Sequence, residues 1–384
     1  MHQAILYAQN LIRFRSITPD EAGALRYIES ELAAQGFACH RLPFSEPGTP
    51  DVDNLYARIG TGTPHICFAG HIDVVPPGDE AAWRHPPFAA IIENGMLHGR
   101  GAADMKGGVA AALASVLEFL RERGSAFSGS ISFLLTADEE GPSINGTRKV
   151  VEWLAARGER PSACIVGEST SEVEVGDTIK NGRRGSLSCL LKVTGQQGHA
   201  AYPEKARNPL PGLIAVLNRL KAGPLDAGTA QFQPSNLEIT SIDTGNRATN
   251  VIPAQATARF NIRFNNLHTS ASLKAWIEAQ AAGALGGSSL EHALAYDPPS
   301  ECFLTEAGGF VETLNKAVAA ETGKPAVLST GGGTSDARFI KDLCPVAELG
   351  LLNATAHKVD EHVSLASLET LCAIYARFLR LTFA

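Results

Sequence analysis

The alternation of short apolar strands with helices through the first 180 residues is the feature that most constrains the fold. The predicted segments are, in chain order, a strand at 64–75, a helix at 105–123, a strand at 128–137, a helix near 146–157 and a strand at 163–168. Parallel strands need long crossover connections, and a helix usually supplies them. This alternation is therefore typical of an α/β domain with a largely parallel sheet that is buried on both faces.

The pattern changes near residue 181 and returns near residue 295. In between, three strands alternate polar and apolar residues and two helices connect them, at 186–195, 207–221, 235–245, 256–264 and 269–283. The order β-α-β-β-α-β is that of a ferredoxin-like unit, a sheet with two helices on one face. We therefore predict an α/β domain in two parts, residues 1–180 and 295–384, with an α+β domain inserted at 181–294.

Composition narrows the class of protein. A chain of 384 residues with 44% hydrophobic residues is long enough for two domains, and its net charge of -7 argues against a nucleic acid or an anionic membrane as the main partner. The seven scattered cysteines include no C-x-x-C pair, which favours free thiols in a reducing cytoplasm. No apolar run reaches a membrane span, and residues 1–16 lack the apolar region of a signal peptide. These features predict a soluble cytoplasmic protein.

Side chains that can bind a metal ion follow consecutive predicted strands, where α/β domains hold their ligands. They are His71 with Asp73, Asp104 in the loop 99–108, the doublet Glu139 and Glu140, Glu168, and His357. A lone histidine is usually structural, and a lone acid after a strand is usually a helix cap. Several carboxylates crowded together, however, repel one another unless a cation compensates them. Two imidazoles and three carboxylates suit Zn²⁺ and exceed the needs of one tetrahedral site, so we predict two metal ions that share a bridging carboxylate.

The spacing of these residues predicts separate roles. His71 and Asp73 are two residues apart, so on a strand both point to one face, and Asp73 can accept the second ring N–H of His71. Glu139 and Glu140 are adjacent and must diverge, so one can bind metal while the other acts as a general base. Asp138 caps or orients the turn, and its role stays open.

These motifs resemble those of the co-catalytic zinc amidohydrolases and peptidases, a family that includes aminoacylases, carboxypeptidases and desuccinylases. The resemblance covers nearly the whole chain. The segments that favour the desuccinylase members are 179–187, 197–203, 249–253, 260–264, 329–340 and 353–361. The resemblance implies a zinc-peptidase-like catalytic domain and an inserted lid and dimerisation domain.

The resemblance also implies roles for individual residues. Asp104 bridges two Zn²⁺ ions, with Co²⁺ possible in one site. His71 and Glu168 complete one metal site, and Glu140 and His357 complete the other. Asp73 orients His71, Glu139 is the general base, and the Asp104–Met105 peptide is cis. In the implied homodimer, His199 reaches the partner's active site and stabilises the oxyanion.

A desuccinylase substrate with three carboxylates needs fixed cationic donors, and two arginines are the candidates. Arg263 lies in an alternating strand and Arg183 follows a glycine at the domain junction, where a solvated hinge charge is the alternative. The further candidate substrate contacts are Tyr202, Asn250, Thr334, Ser335 and Asn353. Local capping of turns is the alternative interpretation of the short polar residues among these.

Other functions stay open at this point. The same chemistry serves acetylornithine deacetylases, aminoacylases and dipeptidases, which need fewer cationic contacts than a tricarboxylate requires. A metal-binding scaffold without turnover is a further alternative, although it has no use for a general base such as Glu139. The glycine-rich segments 60–64 and 331–336 lack the Lys-Ser/Thr of a phosphate-binding loop, so we reject a nucleotide site. His362 is the strongest rival of His357 as a ligand.

Overall fold

The computed structural model describes residues 1–124 and 127–384. Contacts between backbone segments divide the chain into two compact units. The first unit comprises Met1–Asn181, Thr305–Ser329 and Ser335–Ala384, and the second comprises Gly182–Leu304 and Thr330–Thr334. The domain limits predicted from the sequence, 1–180, 181–294 and 295–384, stay a prediction.

The helices within the described ranges are α1 (Gln3–Arg13), α2 (Ala24–Ala33), α3 (Lys106–Arg123), α4 (Thr147–Ala156), α5 (Pro209–Leu220), α6 (Ser270–Leu285), α7 (Phe310–Thr322), α8 (Ala337–Ile340) and α9 (Leu365–Thr382). None of the helices in the described part of the chain combines the length and apolar character needed to cross a bilayer.

The strands of the first unit that precede the second are β1 (Ala38–Arg41), β2 (Asn54–Gly60), β3 (His65–His71), β4 (Ile91–Glu93), β5 (Met96–His98), β6 (Ser130–Thr136), β7 (Ala163–Val166) and β8 (Thr178–Lys180). Those of the second unit are β9 (Gly182–Arg183), β10 (Gly185–Thr194), β11 (Gly198–His199), β12 (Asn236–Asp243), β13 (Val251–Ile252), β14 (Gln255–Phe264), β15 (Glu291–Tyr296) and β16 (Phe303–Leu304). The first unit then continues with β17 (Val327–Ser329), β18 (Val346–Glu348) and β19 (His362–Ser364).

The first unit is built on a mixed, largely parallel sheet, which confirms the predicted α/β class. Its strand order is β1-β2-β6-β3-β7-β18-β8-β17. At the centre β3 pairs in parallel with both β6 and β7, and β7 pairs in parallel with β18. Every residue of β3, β6 and β7 is buried, as expected for strands covered on both faces. Helices α1, α3 and α9 pack against one another beside this sheet.

The central strands end at one edge of the sheet because they run in parallel. β3 ends at His71, β6 at Thr136 and β7 at Val166, so the residues after each end are neighbours in space. The strand predicted at 64–75 is shorter than expected, and Asp73 therefore lies beyond it. This edge carries His71, Glu140 and Glu168, three of the predicted metal ligands.

The second unit has the predicted ferredoxin-like topology. Its antiparallel sheet has the order β12-β14-β10-β15, and α5 and α6 follow β10 and β14 in the chain. The buried positions of β10 and β14 alternate, as predicted from their polar and apolar periodicity. Apolar side chains from both strands and both helices, including Leu191, Leu217, Phe260 and Ile277, form one core.

The backbone of α3 packs closely at Gly108 against the sheet edge where β3, β6 and β7 end. A substitution at Gly108 therefore tests how the fold supports this edge. A Cβ atom at Gly108 would lie 2.1 Å from the carbonyl oxygen of Gly167, the residue before Glu168. Gly108→Ala should lower the free energy of unfolding by about 1–3 kcal/mol, because overpacking against a fixed backbone outweighs the gain in helix propensity. Chemical denaturation measures this change.

Gly283→Ala in α6 is the matched control. The atoms nearest to its added Cβ belong to the guanidinium of Arg219, the end of a flexible side chain that can move away. This variant should be neutral or more stable by up to about 1 kcal/mol, the usual preference of a helix for alanine. Equal effects of the two substitutions would contradict the packing argument.

Candidate metal centre

Five metal-competent side chains of the first unit meet at the edge where the central strands end. They form two groups in which one ligand atom of each residue lies within 4.8 Å of the others, and His71 also forms such a group with Glu139 and Glu140. One group is His71, Asp104 and Glu168, and the other is Asp104, Glu140 and His357. The shared member is Asp104, which is the geometry needed for a carboxylate that bridges two ions.

The two oxygens of Asp104 face different imidazoles. Its Oδ1 lies 3.2 Å from Nε2 of His71, and its Oδ2 lies 3.4 Å from Nε2 of His357. Nε2 of His71 also lies 3.8 Å from Oε1 of Glu168, and Nε2 of His357 lies 2.8 Å from Oε1 of Glu140. The Asp104–Met105 peptide is cis, as the resemblance implied.

The hydrogen bond of His71 sets which ring nitrogen is available. Its Nδ1 lies 2.8 Å from the backbone carbonyl of Asp73, and since a carbonyl only accepts, Nδ1 is the donor. In the neutral ring, Nε2 then carries the lone pair, on the side of Asp104 and Glu168. The expected acceptor was the Asp73 carboxylate, which is farther from Nδ1, at 3.6 Å. The difference arises because β3 ends at His71 and the chain turns before Asp73.

The carboxylate of Asp73 instead holds the acidic doublet. It is fully buried and accepts the backbone N–H of Glu139 at 3.4 Å and that of Glu140 at 3.1 Å. Burial, opposed by the charge of His71, raises the pKa of Asp73 to about 6. Asp73 thus connects the end of β3 to the turn after β6.

Asp138, whose role the sequence left open, organises that turn. Its side chain is buried and accepts the backbone N–H groups of Ser143, Ile144 and Asn145 at 3.2, 2.9 and 3.0 Å. These bonds satisfy the loop that leads into α4. The Asp138 carboxylate is therefore used for backbone hydrogen bonds. Glu139 and Glu140, which follow it, lie beside the ligand groups.

The acids of this edge destabilise one another as long as no cation is present. Burial and the charge of Asp104 raise the pKa of Glu168 well above its usual value. Burial, together with the charge of Asp336 and other nearby acids, raises the pKa of Glu139 to about 8, against the opposing effect of His71. A divalent cation relieves this repulsion, and imidazole nitrogens with carboxylate oxygens are donors that suit Zn²⁺ and similar ions. The residues present therefore fit a dinuclear metal site.

Glu361 and Arg100 support the site and were not among the predicted residues. The fully buried Glu361 carboxylate accepts the backbone N–H groups of Gly101, Ala103 and Asp104 at 3.0, 2.8 and 3.1 Å. It also accepts Nη1 of Arg100 at 2.8 Å, while Nη2 of Arg100 donates to the carbonyl of His357 at 3.4 Å. The pair thus joins the loop of Asp104 to the segment of His357. The only signal for Glu361 in the sequence is its position as an acidic residue just before a short strand.

Lys106 is a second supporting residue that the sequence analysis missed. It begins α3, is fully buried, and donates from Nζ to the carbonyl of Phe14 at 2.8 Å. Burial lowers the pKa of its amine to about 7, and the nearby charges of Asp73 and Glu361 oppose this shift. The charges of Asp73 and Glu361 thus act directly on this buried amine.

Two predicted substrate residues lie in the first unit. The hydroxyl of the buried Ser335 donates to Oε1 of Glu348 at 2.6 Å. Asn353 is exposed, and its backbone N–H donates to the carbonyl of Ser171 at 3.1 Å. Their part in substrate binding stays a prediction.

The other predicted substrate residues lie in the second unit, with His199. The imidazole of His199 is exposed, accepts the backbone N–H of Ala201 at 3.0 Å and meets the ring of Tyr202 edge-on, with centroids 5.6 Å apart. The remaining positions are the buried Arg183 in β9, the partly buried Arg263 in β14, the exposed Asn250 before β13, and the partly buried Thr334. Their roles also stay predictions.

A largely parallel α/β sheet with imidazoles and carboxylates gathered at its edge defines the class of metal-dependent hydrolases. Residues 67–381 match the model of peptidase family M20/M25/M40. The chain belongs to this family.

Its relatives include succinyl-diaminopimelate desuccinylases of two bacteria. The protein of Rhodospirillum centenum is 57% identical over 380 residues, which cover 99% of this chain and 97% of the relative. The protein of Methylobacterium sp. (strain 4-46) is 56% identical over 373 residues, which cover 97% of this chain and 94% of the relative.

Solved structures with much lower identity share the fold. Aminopeptidase PepT from Bacillus cereus matches with a TM-score of 0.78 at 18% identity, over 99% of this chain and 98% of that one. The YXEP protein of Bacillus subtilis, a dinuclear metal-binding peptidase of the M20 family, matches with a TM-score of 0.72 at 17% identity, over 99% and 98%. At this identity the likeness concerns the fold alone.

Glu361→Gln tests whether the buried carboxylate positions the ligands. The substitution leaves Arg100 without its charged partner, so the free energy of unfolding should fall by about 3–5 kcal/mol. Affinity for Zn²⁺ should fall by at least about tenfold, the effect typical of groups that orient ligands. Chemical denaturation and competition with a zinc chelator measure the two changes.

Glu80→Gln is the control, because Glu80 pairs with Arg15 at an exposed position. It should leave both stability and zinc affinity unchanged. Zinc affinity of Glu361→Gln equal to that of the unsubstituted protein would refute the positioning role.

Proposed function

We propose that this chain hydrolyses the amide bond of N-succinyl-L,L-2,6-diaminopimelate to succinate and L,L-2,6-diaminopimelate, a step in the biosynthesis of diaminopimelate and lysine. The observation that carries the proposal is the identity of 56–57% with desuccinylases over nearly the full length of both chains. The ligand groups that share Asp104 support it, since they fit the metal-dependent chemistry of the family.

Two Zn²⁺ ions are the proposed cofactors, with Co²⁺ possible in one site. His71 and Glu168 would hold one ion, Glu140 and His357 the other, and Asp104 both. When bound, such ions polarise the amide carbonyl and lower the pKa of the attacking water. The tautomer of His71 and the two orientations of the Asp104 oxygens support this assignment.

Glu139 is the proposed general base. Asp73 accepts the backbone N–H groups of Glu139 and Glu140, which holds the doublet at the edge of the sheet. The carboxylate of Glu139 takes a proton from the attacking water and later gives it to the leaving amine. A carboxylate held beside the metal ligands is a group that can accept a proton from water and release it to an amine.

The proposed recognition of the substrate uses the two arginines. Arg263 is half-buried in β14, and burial followed by the charge of Arg184 lowers the pKa of its guanidinium. Nη1 of Arg183 donates to the carbonyls of Gly331 and Gly333 at 3.3 and 3.0 Å, which fixes its position next to the glycine-rich turn. Tyr202, Asn250, Thr334, Ser335 and Asn353 are proposed as further polar contacts.

We propose a homodimer in which His199 serves the active site of the partner and stabilises the oxyanion. Its exposed imidazole, whose ring is oriented by Ala201 and Tyr202, supports this role. A cytoplasmic location is also part of the proposal. All seven cysteines are unpaired, as expected in a reducing compartment.

Glu139→Gln should abolish turnover while the metal ions stay bound, because the amide is nearly isosteric with the acid but cannot accept the proton. Turnover should fall by about 10²–10⁴-fold. The measurements are the release of diaminopimelate amine and the metal content by mass spectrometry. Glu140→Gln is the contrast, since it should lose metal, and a Glu139→Gln enzyme within about tenfold of the unsubstituted rate would reject the role.

Substrate choice is tested on metal-stripped and zinc-reloaded protein with N-succinyl-L,L-diaminopimelate, N-acetylornithine and a dipeptide. The succinyl compound should be cleaved fastest and only after zinc is restored. A preference for another compound would overturn the proposed substrate while leaving the metal-dependent hydrolysis in place.

Arg263→Gln should raise the KM for the succinyl substrate at least about tenfold, because a charge-assisted carboxylate contact contributes about 1.5–3 kcal/mol. Arg259→Gln is the control on the same strand, four residues away and exposed. It should leave KM unchanged. An equal effect of both substitutions would indicate a general charge effect instead of a specific contact.

A further inference from the structure

A second group of metal-competent side chains lies on the small sheet β19-β5-β4 of the first unit. In its register His98 stands opposite His362 on one side and Ile91 on the other. Glu93 follows Ile91 by two residues, so it points to the same face as Ile91. The strand pairing alone therefore places His98, His362 and Glu93 on one face.

The loop before β4 adds His85 to this face. Its Nε2 lies 3.3 Å from Oε2 of Glu93, and its ring centroid lies 4.9 Å from that of His98. One ligand atom each from His85, Glu93 and His98 lies within 4.8 Å of the other two. Two imidazoles and a carboxylate are the ligand set of many zinc sites.

His362 can complete the set. Its Nδ1 lies 2.7 Å from the backbone carbonyl of Asp360 and must be the donor, so its Nε2 keeps a lone pair. Its ring centroid lies 5.2 Å from that of His98. A fixed tautomer with a free nitrogen is the state in which imidazole binds a metal.

An ordinary ion pair does not account for this arrangement. Arg84 pairs with Glu93 through Oε2, which lies 2.6 Å from its Nη2. The rings of His85, His98 and His362 are tilted against one another at 58° and 37°, and such contacts add little to the ion pair. A bound metal ion would contact the imidazoles and the Glu93 carboxylate at the same time.

The group of His2, Glu118 and Cys372 shows the contrast. Nδ1 of His2 accepts the backbone N–H of Ala4 at 3.2 Å, and Glu118 is paired with Arg380 at 2.7 Å. Burial and the charge of Glu118 raise the pKa of the Cys372 thiol to about 12, so it is no thiolate at neutral pH. This group offers a protonated thiol and an imidazole nitrogen that is already hydrogen-bonded, whereas the group around Glu93 offers two imidazoles.

We propose that His85, Glu93 and His98 form a further metal site, distinct from the candidate metal centre, with His362 or water as the fourth ligand. The imidazole-rich set selects a divalent transition metal ion such as Zn²⁺. The site is structural: it ties the loop of His85 to the hairpin β4–β5, and with His362 as the fourth ligand it also links that hairpin to β19. It requires no particular substrate and is independent of the proposed function.

Counting bound zinc tests the site without reference to turnover. The unsubstituted protein, His98→Asn and Glu93→Gln are dialysed to equilibrium against the same buffered free Zn²⁺, and zinc per chain is measured by mass spectrometry. Each variant should bind one zinc ion fewer than the unsubstituted protein. Two variants on different strands guard against a single substitution that disturbs folding.

His292→Asn is the matched control, because His292 also lies beside a glutamate, Glu278, at 3.1 Å near the surface. It should bind as much zinc as the unsubstituted protein. Equal zinc in the unsubstituted protein and both site variants would overturn the proposal. The same loss in His292→Asn would also overturn it, since it would reveal unspecific surface binding.

Discussion

Mutual repulsion of buried carboxylates is the constraint on which the active edge of the first unit depends. Asp73, Asp104, Glu139, Glu140 and Glu168 lie close together at the ends of the central strands. Each buried carboxylate costs several kcal/mol unless it is compensated. The backbone N–H groups of the doublet and the imidazoles of the ligand groups offset part of this cost. The remaining charge favours the binding of divalent cations, which are also the cofactors of the proposed reaction.

A parallel sheet makes such crowding possible. Because β3, β6 and β7 run in the same direction, residues far apart in the sequence arrive at one edge. Close backbone contact then sets their spacing, as where α3 lies directly against Gly167 and only a glycine fits at position 108. The same contact that closes the core thus determines where Glu168 and Asp104 lie. The stability of the first unit and the position of its metal ligands thus both depend on the packing of α3 against Gly167.

Buried carboxylates that accept backbone N–H groups hold the ligand-bearing segments in position. Asp138 accepts three N–H groups of its turn, and Glu361 accepts three N–H groups of the loop that ends at Asp104. Neither group belongs to the two ligand sets, yet both hold the chain segments that supply ligands. A site built in this way keeps its geometry before any ion is bound, which reduces the ordering that binding requires.

Local patterns in the sequence were sufficient to predict the α/β class, the ferredoxin-like second unit and the convergence of His71, Asp104, Glu140, Glu168 and His357. Periodicity and strand ends are local properties, and a parallel sheet brings strand ends together by its own geometry. The sequence misjudged the partner of His71, since it could not show that β3 ends before Asp73. It also missed Glu361, whose bond to the N–H of Asp104 spans 257 residues. Tertiary structure alone decides which oxygen faces which imidazole, because such contacts join segments whose separation in the chain carries no periodic signal.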